Sequence, residues 1–202
     1  MAQPACVSAA LVHLLDADAE LMLRLQQGEL ACLGWLLERH RAPLAHFLCR
    51  MVQNQAVAEE LAQDVFFRVY RSRAQYRPTA RFSCWLYRIA TNLALNWLRD
   101  HRHERNLESL QAVPAHAPPR QLADRRPTID QAMLRQARLV EVRRAVAALP
   151  DMQRAVVLMH KYGEMEYSEI AQALGCSTPS VKSRLFRAYS TLRTRLAHLN
   201  GA

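Results

Sequence analysis

The sequence predicts an all-α protein of two small helical domains joined by a flexible, proline-rich linker. Half of the 202 residues are hydrophobic, so the chain is able to bury a core. Only five residues are glycine, which is consistent with a helical chain. Apolar residues recur at spacings of three and four, and the alternation typical of strands is nearly absent. Residues 104–128 lose this periodicity and hold four of the nine prolines. They therefore predict a linker between domains at 18–103 and 129–199.

The first domain is predicted to contain four helices, preceded by a loose leader at residues 1–17. Its first helix spans Asp18–Gln27 and is closed by Gly28, since glycine is common just past a helix end. The second helix spans Glu29–Gln53 and carries Pro43. Because proline lacks an amide hydrogen, we expect a kink or a break there.

The third helix, from Asn54 to about Ala74, is apolar on more of its surface than one small core requires. Its main stripe is Ala58, Leu61, Val65 and Val69. Three aromatic side chains lie off that stripe, and an acidic edge flanks it. These residues are Phe66, Phe67 and Tyr70, and Glu59, Glu60 and Asp64. The pattern fits either a helix buried on two sides of a bundle or a partner-binding surface with an acidic rim.

A loop at Tyr76–Arg81 precedes the fourth helix, which runs from Phe82 to about Arg102. Its core stripe is Phe82, Leu86, Ile89, Leu93 and Trp97, with Trp85 beside it, and we interpret both tryptophans as core residues. Basic and amide side chains surround that stripe. Single-stranded DNA binding uses such a mixture, because cations follow the backbone while rings and amides meet the bases. The candidate contacts are Tyr76, Arg77, Thr79, Arg81, Asn92 and Asn96.

The second domain is predicted to hold four more helices. The first spans Ile129–Leu149 and ends before Pro150, and Asp151 is expected to cap the next helix. The turn at Tyr162-Gly163 then leads into two helices separated by a tight turn.

These last two helices have the pattern of a helix-turn-helix. The first stops at Gly175, and Ser177 or Thr178 is able to cap the second, with Pro179 in its first turn. The apolar stripe of the second helix is Val181, Leu185, Ala188, Leu192, Leu196 and Leu199. The opposite face carries Lys182, Ser183, Phe186 and Arg187. A solvated amphipathic helix is the alternative, but a face with one charge sign and an outward phenylalanine favours DNA binding.

The formal net charge of +9 indicates a polyanionic partner, either nucleic acid or an anionic membrane surface. No apolar run approaches the length of a membrane span, and the N-terminus is a poor secretory signal, so we expect a cytoplasmic protein. Five scattered cysteines without a CxxC pair predict neither a disulfide framework nor a zinc site. His40, His46 and Cys49 lie near one another on the second helix, but a metal site there needs more ligands. We predict no metal and no cofactor.

Four stretches together resemble an alternative sigma factor of the extracytoplasmic-function type, in the sigma-70 family. Residues 58–71 (AEELAQDVFFRVYR) are similar to the family's region 2.2, which binds the largest subunit of RNA polymerase. Residues 81–103 (RFSCWLYRIATNLALNWLRDHRH) are similar to regions 2.3 and 2.4, which melt and read the minus-10 element. Residues 148–177 resemble region 4.1 and the start of region 4.2. Residues 178–196 (TPSVKSRLFRAYSTLRTRL) resemble the helix that reads the minus-35 element.

The resemblance implies a role for each matching residue. Glu60, Gln63, Asp64 and Phe67 match the polymerase-binding helix. Tyr76, Arg77, Thr79 and Arg81 match the loop that pockets a flipped-out promoter base, and Asn92 and Asn96 match the helix facing the same strand. Lys182, Ser183, Phe186 and Arg187 match contacts to the minus-35 duplex. Pro78 and Thr79 depart from the family, where many members have glycine and an acidic residue.

The resemblance implies core RNA polymerase, promoter DNA and an anti-sigma protein as partners, and no catalytic site in this chain. Two alternatives remain to be weighed. An ordinary helix-turn-helix regulator would form a dimer on a palindromic site without polymerase. A helical enzyme would use the cluster of His40, His46 and Cys49, although no paired carboxylates, nucleophile–base pair or phosphate-binding glycine loop accompanies it.

Overall fold

A computed structural model describes residues 16–101 and 129–200, which form eight α-helices and no strand. The first four helices are α1 (Ala17–Gln26), α2 (Ala31–Val52), α3 (Gln55–Arg71) and α4 (Phe82–Asp100). The other four are α5 (Ile129–Ala147), α6 (Asp151–Tyr162), α7 (Tyr167–Leu174) and α8 (Thr178–Arg195). Short 3-10 turns lie at Arg73–Gln75 and Ala197–Asn200. The predicted all-α fold is confirmed. The linker and nearly all of the leader lie outside the described residues.

The helices α1 to α4 pack around one apolar core. Antiparallel α2 and α3 form a hairpin, and α1 and α4 pack against them. The largest buried side chains of this core are Met22, Leu25, Leu36, Leu44, Phe47, Leu48, Met51, Phe82, Leu86 and Leu98. Asp16 and Asn54 start α1 and α3, because each side chain accepts a hydrogen bond from the amide three residues on.

Helix α2 continues through Pro43, so a break at this residue is ruled out. Leu36 on one side of the proline and Leu44 and Phe47 on the other are fully buried in the same core. Packing of that continuous apolar face offsets the hydrogen bond that proline cannot donate. The helix ends at Gln53, which adopts a left-handed conformation with φ of 61°.

The helices α6, α7 and α8 form a second packed unit in the C-terminal half. The prediction that Asp151 caps α6 is wrong, because Pro150 occupies the cap position and Asp151 is the first helical residue. Its carboxylate instead accepts a hydrogen bond from the fully buried Arg154, whose other amino group donates to the Ala147 carbonyl at 2.6 Å. The sequence pattern did not indicate that α6 contains a buried arginine.

The turn of the helix-turn-helix follows the predicted chemistry. Gly175 ends α7 in the left-handed region with φ of 61°, where a Cβ atom would be strained. Of the two cap candidates, Ser177 caps α8, its hydroxyl accepting from the Ser180 amide at 3.4 Å. At the start of α7, Glu166 and Glu169 form a reciprocal capping box.

The two halves contact each other along α2 and α6 and along α4 and α7. The Arg50 guanidinium lies 3.7 Å from the ring centroid of Tyr162, a cation–π contact. At the other end of the contact, Arg81 at the start of α4 forms an ion pair with Glu169 of α7 at 3.2 Å. A crevice between the halves is lined by Ala80, Arg81, Cys84, Glu166, Ser168, Glu169 and Gln172.

Candidate nucleic-acid and partner interfaces

The four candidate partner-binding residues of α3 share one exposed face. Glu60, Gln63, Asp64 and Phe67 are spaced by three or four residues, so their side chains emerge on the same side of the helix. Phe67 is 57% exposed, and the Arg71 guanidinium lies 5.6 Å from its ring centroid. An acidic and amide face around an exposed aromatic ring is suited to a protein partner with a basic and apolar surface.

The structure divides the two phenylalanines that the sequence pattern grouped together. Phe66 is buried at 5% exposure, whereas Phe67 points outward. Phe66 therefore fits a helix buried within the bundle, and Phe67 fits a partner-binding surface. These are the two explanations that the sequence pattern left open. Beside Phe66 lies a shallow groove between α2 and α3, with Leu37 and Ala45 in its wall. The sequence pattern could not indicate this groove, because its lining comes from two helices whose pairing has no local signature.

The loop before α4 presents three of its four candidate DNA contacts to solvent. Arg77, Thr79 and Arg81 are exposed, and the Thr79 amide donates to the Arg77 carbonyl at 2.8 Å, which makes the loop tight. Tyr76 is only 5% exposed, and its ring centroid lies 5.0 Å from that of Trp85. The structure thus brings Tyr76 to the base of the loop rather than to its surface.

The environment of Tyr76 keeps its phenol protonated. Burial raises the pKa of Tyr76, and the negative charges of Asp16 and Asp18 raise it further. Because a phenolate would be both desolvated and repelled there, the ring behaves as an apolar group with a neutral hydroxyl. Direct contact between Tyr76 and DNA remains a prediction, and in this conformation the ring is covered.

Polar side chains continue from the loop along the exposed side of α4. Asn92 and Asn96 are both exposed and lie one turn apart. Arg88 and Arg99 are exposed on the same side and extend the strip in both directions. Together with Arg77 and Arg81, these residues form a basic strip with amides in its middle, which suits a single nucleic-acid strand.

The two tryptophans of α4 are partly buried and pack against the core, in line with the interpretation from sequence. Trp85 contacts Tyr76 and Phe82 at the base of the loop. Trp97 stacks on His101, with ring centroids 4.5 Å apart and planes 16° apart. Each ring therefore has a neighbour in the described residues that accounts for its position.

The helix α8 separates its apolar and polar faces cleanly. Val181, Leu185 and Ala188 are buried against α6 and α7. On the opposite face, the four candidate duplex contacts are exposed, and Phe186 at 77% is the most exposed large apolar side chain of the described residues. These contacts are Lys182, Ser183, Phe186 and Arg187.

One feature of the helix-turn-helix was missed in the sequence pattern. The Arg184 guanidinium donates to the Cys176 sulfur at 3.2 Å, so this arginine is directed toward the turn rather than toward the exposed face. Thr191 and Thr194 donate to backbone carbonyls of α8 itself, to Arg187 and Ser190 respectively. Because Arg184 is directed toward the turn, the exposed face of α8 carries fewer basic residues than its composition indicates.

The three residues considered for metal or catalytic chemistry do not converge. His40 interacts with Asp18 through Nε2 at 2.8 Å, while His46 is exposed and Cys49 partly buried. Between residues 16–101 and 129–200, no three His, Cys, Asp or Glu side chains are grouped so as to hold a metal ion. Over the same ranges, none of the helices combines the length and apolarity needed to cross a membrane.

An all-α chain with a helix-turn-helix and two further exposed polar faces defines a DNA-binding protein with an additional partner surface. Comparison with known families gives two matches along the chain. Residues 36–104 match the model of Sigma-70 region 2, and residues 139–192 match that of Sigma-70, region 4. The chain belongs to the sigma-70 family of RNA polymerase sigma factors.

Individual relatives agree with this assignment. The RNA polymerase sigma factor CarQ of Myxococcus xanthus is 35% identical over 180 residues, covering 88% of this chain and 97% of CarQ. The ECF RNA polymerase sigma-E factor of Escherichia coli is 28% identical over 193 residues, covering 90% of this chain and 95% of that protein. Among solved structures, the sigma factor RpoE in complex with the anti-sigma factor NepR, from Bartonella quintana, has the same fold. Its TM-score is 0.58 at 19% identity, over 81% of this chain and 96% of that one.

The chain is therefore an alternative sigma factor of the extracytoplasmic-function type, which binds bacterial core RNA polymerase and directs promoter-specific transcription initiation. This identification favours the sigma hypothesis over the classical dimeric regulator. It also indicates that the chain acts as a specificity subunit of the polymerase.

Proposed function

We propose that three exposed faces of this sigma factor divide the work of initiation. The α3 face (Glu60, Gln63, Asp64 and Phe67) docks on the polymerase. The loop and α4 strip (Arg77, Thr79, Arg81, Asn92 and Asn96, with Tyr76 at the loop's base) reads the single-stranded minus-10 element. The α8 face (Lys182, Ser183, Phe186 and Arg187) reads the minus-35 duplex. We assign residues 18–103 to polymerase docking and minus-10 reading, and residues 129–199 to minus-35 reading. Residues 104–128 are the proposed linker between these two domains.

The observation that carries this proposal is the presence of exposed aromatic rings where a packed bundle has no use for them. Phe67 and Phe186 are 57% and 77% exposed, while their neighbours Phe66 and Leu185 are buried. Exposing such rings forgoes the free energy that burial would supply, so a binding role is the economical explanation. Acidic and amide side chains lie on the same face as Phe67, with Arg71 over the ring, and basic side chains flank Phe186.

Two weak promoter contacts on one chain strengthen each other. Once one domain is bound, the other is held near its element at high effective concentration, provided that the promoter spacing permits simultaneous contact. Melting the minus-10 element costs base stacking, and capture of a flipped base by the loop at 76–81 offsets part of that cost. In this proposal the polymerase performs all of the chemistry, and the sigma factor has no catalytic site of its own.

We infer further that the protein acts in the bacterial cytoplasm, where the polymerase is located, under control of an anti-sigma protein. The neighbouring RpoE structure is described as a complex with an anti-sigma factor, which supports this inference by similarity. Such an inhibitor should compete with core polymerase for the sigma factor. A purified candidate that leaves polymerase binding unchanged at saturating concentration would argue against it.

The first experiment is co-migration with purified bacterial core RNA polymerase on a sizing column. Wild type should elute with the enzyme, whereas the double variant Glu60→Lys and Asp64→Lys should elute alone. A matched control, Glu20→Lys with Glu164→Lys, makes the same change in net charge at exposed positions away from α3. Equal losses in both double variants would mean that net charge, rather than the α3 face, governs the interaction. Failure of wild type to bind would contradict the proposal altogether.

A further inference from the structure

We propose that Asp18 and His40 are positioning residues for the promoter-reading loop, residues 76–81. They act through the aromatic side chains at the base of the loop and make no contact with DNA themselves. The inference deepens the proposed function and rests on the role assigned above to that loop. It concerns a part of the chain, α1 and its contact with α2, to which the family resemblance assigned no task.

The Asp18 carboxylate is held by two partners. One oxygen interacts with His40 Nε2 at 2.8 Å, and the other accepts a hydrogen bond from the Arg39 guanidinium. The side chains of Asp18 and His40 are only 13% and 15% exposed, so water competes weakly for the contact. Asp16 fixes the start of the same helix by capping it, its carboxylate accepting from the Ala19 amide at 2.7 Å. The imidazole of His40 is therefore fixed in orientation.

The fixed imidazole packs on the residue that ends the loop. Its ring centroid lies 5.4 Å from that of Phe82, the first residue of α4, which is fully buried. Phe82 in turn contacts Tyr76 at 6.3 Å and Trp85 at 6.0 Å between ring centroids. Since Tyr76 begins the loop and Phe82 follows it, both ends of the loop are seated on one aromatic cluster. His40 and the Asp18 carboxylate support that cluster from behind.

A second contact from α1 holds the segment that enters the loop. Gln26, the last residue of α1, donates from Nε2 to the Ala74 carbonyl at 2.8 Å. The N-terminal end of α1 thus supports the exit of the loop, and its C-terminal end supports the entry. Between these supports the side chains of Arg77, Thr79 and Arg81 are exposed, and Arg81 reaches DNA once it leaves Glu169. Geometry at a binding loop depends on such supporting contacts, because small misplacements lose much of the interaction.

The test measures recognition of the flipped base by the full-length sigma factor assembled with bacterial core polymerase. The probe is the single-stranded minus-10 segment of a promoter that the wild-type holoenzyme selects from bacterial genomic DNA. Each position is compared with the same oligonucleotide carrying an abasic site there. In wild type, one or more abasic sites should weaken binding, which identifies the captured base. The ratio of the two affinities, intact over abasic, is the readout for each variant.

For Asp18→Ala and His40→Ala we expect affinity for the intact oligonucleotide to fall about tenfold and the ratio to approach one. Core polymerase binding and binding of the minus-35 duplex should stay within about twofold of wild type. Asp18→Asn keeps an oxygen acceptor for His40 and should recover most of the ratio. Gln26→Ala, at an exposed position that tolerates truncation, should lower the ratio by a smaller factor. It keeps the test decisive if the two alanine variants fold poorly.

The matched control is Glu29→Ala, which breaks the Arg24–Glu29 ion pair between the end of α1 and the residues before α2, a pair that includes no member of the aromatic cluster. Its ratio should equal that of wild type. A wild-type ratio in Asp18→Ala, or in Gln26→Ala where the former does not fold, overturns the positioning role while the function of the loop stands. If wild type itself shows no abasic effect at any position, the loop captures no base, and both the proposed role of the loop and this inference fail.

Discussion

The Arg81 guanidinium lies 3.2 Å from Glu169 Oε1 and joins the loop at residues 76–81 to the first helix of the helix-turn-helix. The Arg81 side chain is 62% exposed, so the ion pair is screened and contributes less than about 1 kcal/mol. The other oxygen of the same carboxylate accepts from the Glu166 amide at 2.8 Å and caps α7. Glu169 therefore has two tasks, of which only the ion pair depends on its charge.

Glu169→Gln should make assembly with polymerase and promoter easier. In the proposed function Arg81 contacts promoter DNA, which requires it to leave Glu169. Glutamine removes that competition while keeping an acceptor for the cap. We expect the half-saturating concentration for the ternary complex to fall about two- to fivefold at low salt. The gain should vanish near ~0.3 M salt, where exposed charges are screened. The control Glu166→Gln removes a neighbouring negative charge. An equal gain in that variant would assign the effect to net charge.

Phe186→Ala should separate binding from folding. At 77% exposure the ring contributes little to stability, so the free energy of unfolding should change by less than about 0.5 kcal/mol. Affinity of the holoenzyme for the minus-35 duplex should fall about tenfold, which equals about 1.4 kcal/mol. The neighbouring Leu185 is buried, so Leu185→Ala should instead destabilise by about 2–5 kcal/mol. Urea unfolding and a duplex-binding titration measure the two effects, and an unchanged affinity in Phe186→Ala would remove this ring from the interface.

Periodicity predicted the helices and their exposed faces well, because it reports directly which side of a helix is apolar. It could not separate Phe66 from Phe67, since both lie off the main stripe of α3 and only the packing of α2 distinguishes them. Cap preference gave the wrong role to Asp151, because Pro150 takes the cap position and the Asp151 carboxylate pairs with Arg154 one turn on. Packing between helices decides the first case, and a side-chain pair within one helix accompanies the second.

The contacts that support the candidate site could not be read from the sequence at all. Asp18 and His40 are separated by 22 residues, and Gln26 and Ala74 by 48. Arg81 and Glu169 lie still further apart along the chain. Single-sequence patterns carry no information about which distant side chains meet, so the surfaces were predictable while their supports were not.

Gly163→Ala should destabilise the C-terminal half, because the turn after α6 leaves no room for a side chain. A Cβ atom at position 163 would lie 2.7 Å from the backbone oxygen of Met159, which cannot move without disturbing the helix end. We expect a loss of about 1–3 kcal/mol in urea unfolding. Gly34 lies inside α2, and a Cβ atom there would meet nothing within 4 Å beyond the adjoining backbone of its own helix, so Gly34→Ala should stabilise by about 0.5–1 kcal/mol. Equal effects of the two substitutions would contradict the close approach at Gly163.

Stability should fall in alkaline solution partly because of Cys84. Burial, with a smaller effect of the Glu169 charge, raises the pKa of this thiol from 9.0 to about 11. The unfolded chain therefore loses the proton first, and the contribution to stability, complete below pH 9, decreases as pH rises toward 11. In urea titrations between these values, Cys84→Ala should show a shallower decline than wild type, with Cys176→Ala as the control. Rapid alkylation of Cys84 in the folded protein at neutral pH would contradict a buried, protonated thiol.

Arg154→Ala should unfold the C-terminal half more readily than any exposed arginine substitution. The side chain is fully buried, donates to the Ala147 carbonyl at 2.6 Å and pairs with Asp151, so it joins the end of α5 to the first turn of α6. Its loss leaves a cavity and a carbonyl without this donor, which together should cost about 2–4 kcal/mol.

Arg144→Ala, at an exposed position on α5, should change stability by less than about 0.5 kcal/mol. Asp151→Asn keeps an acceptor for Arg154, and because the aspartate is itself 32% exposed, its effect should lie between the two. The three urea midpoints, measured on the full chain, give the order directly, and an Arg154→Ala midpoint equal to that of Arg144→Ala would show that the buried guanidinium does not hold α5 against α6.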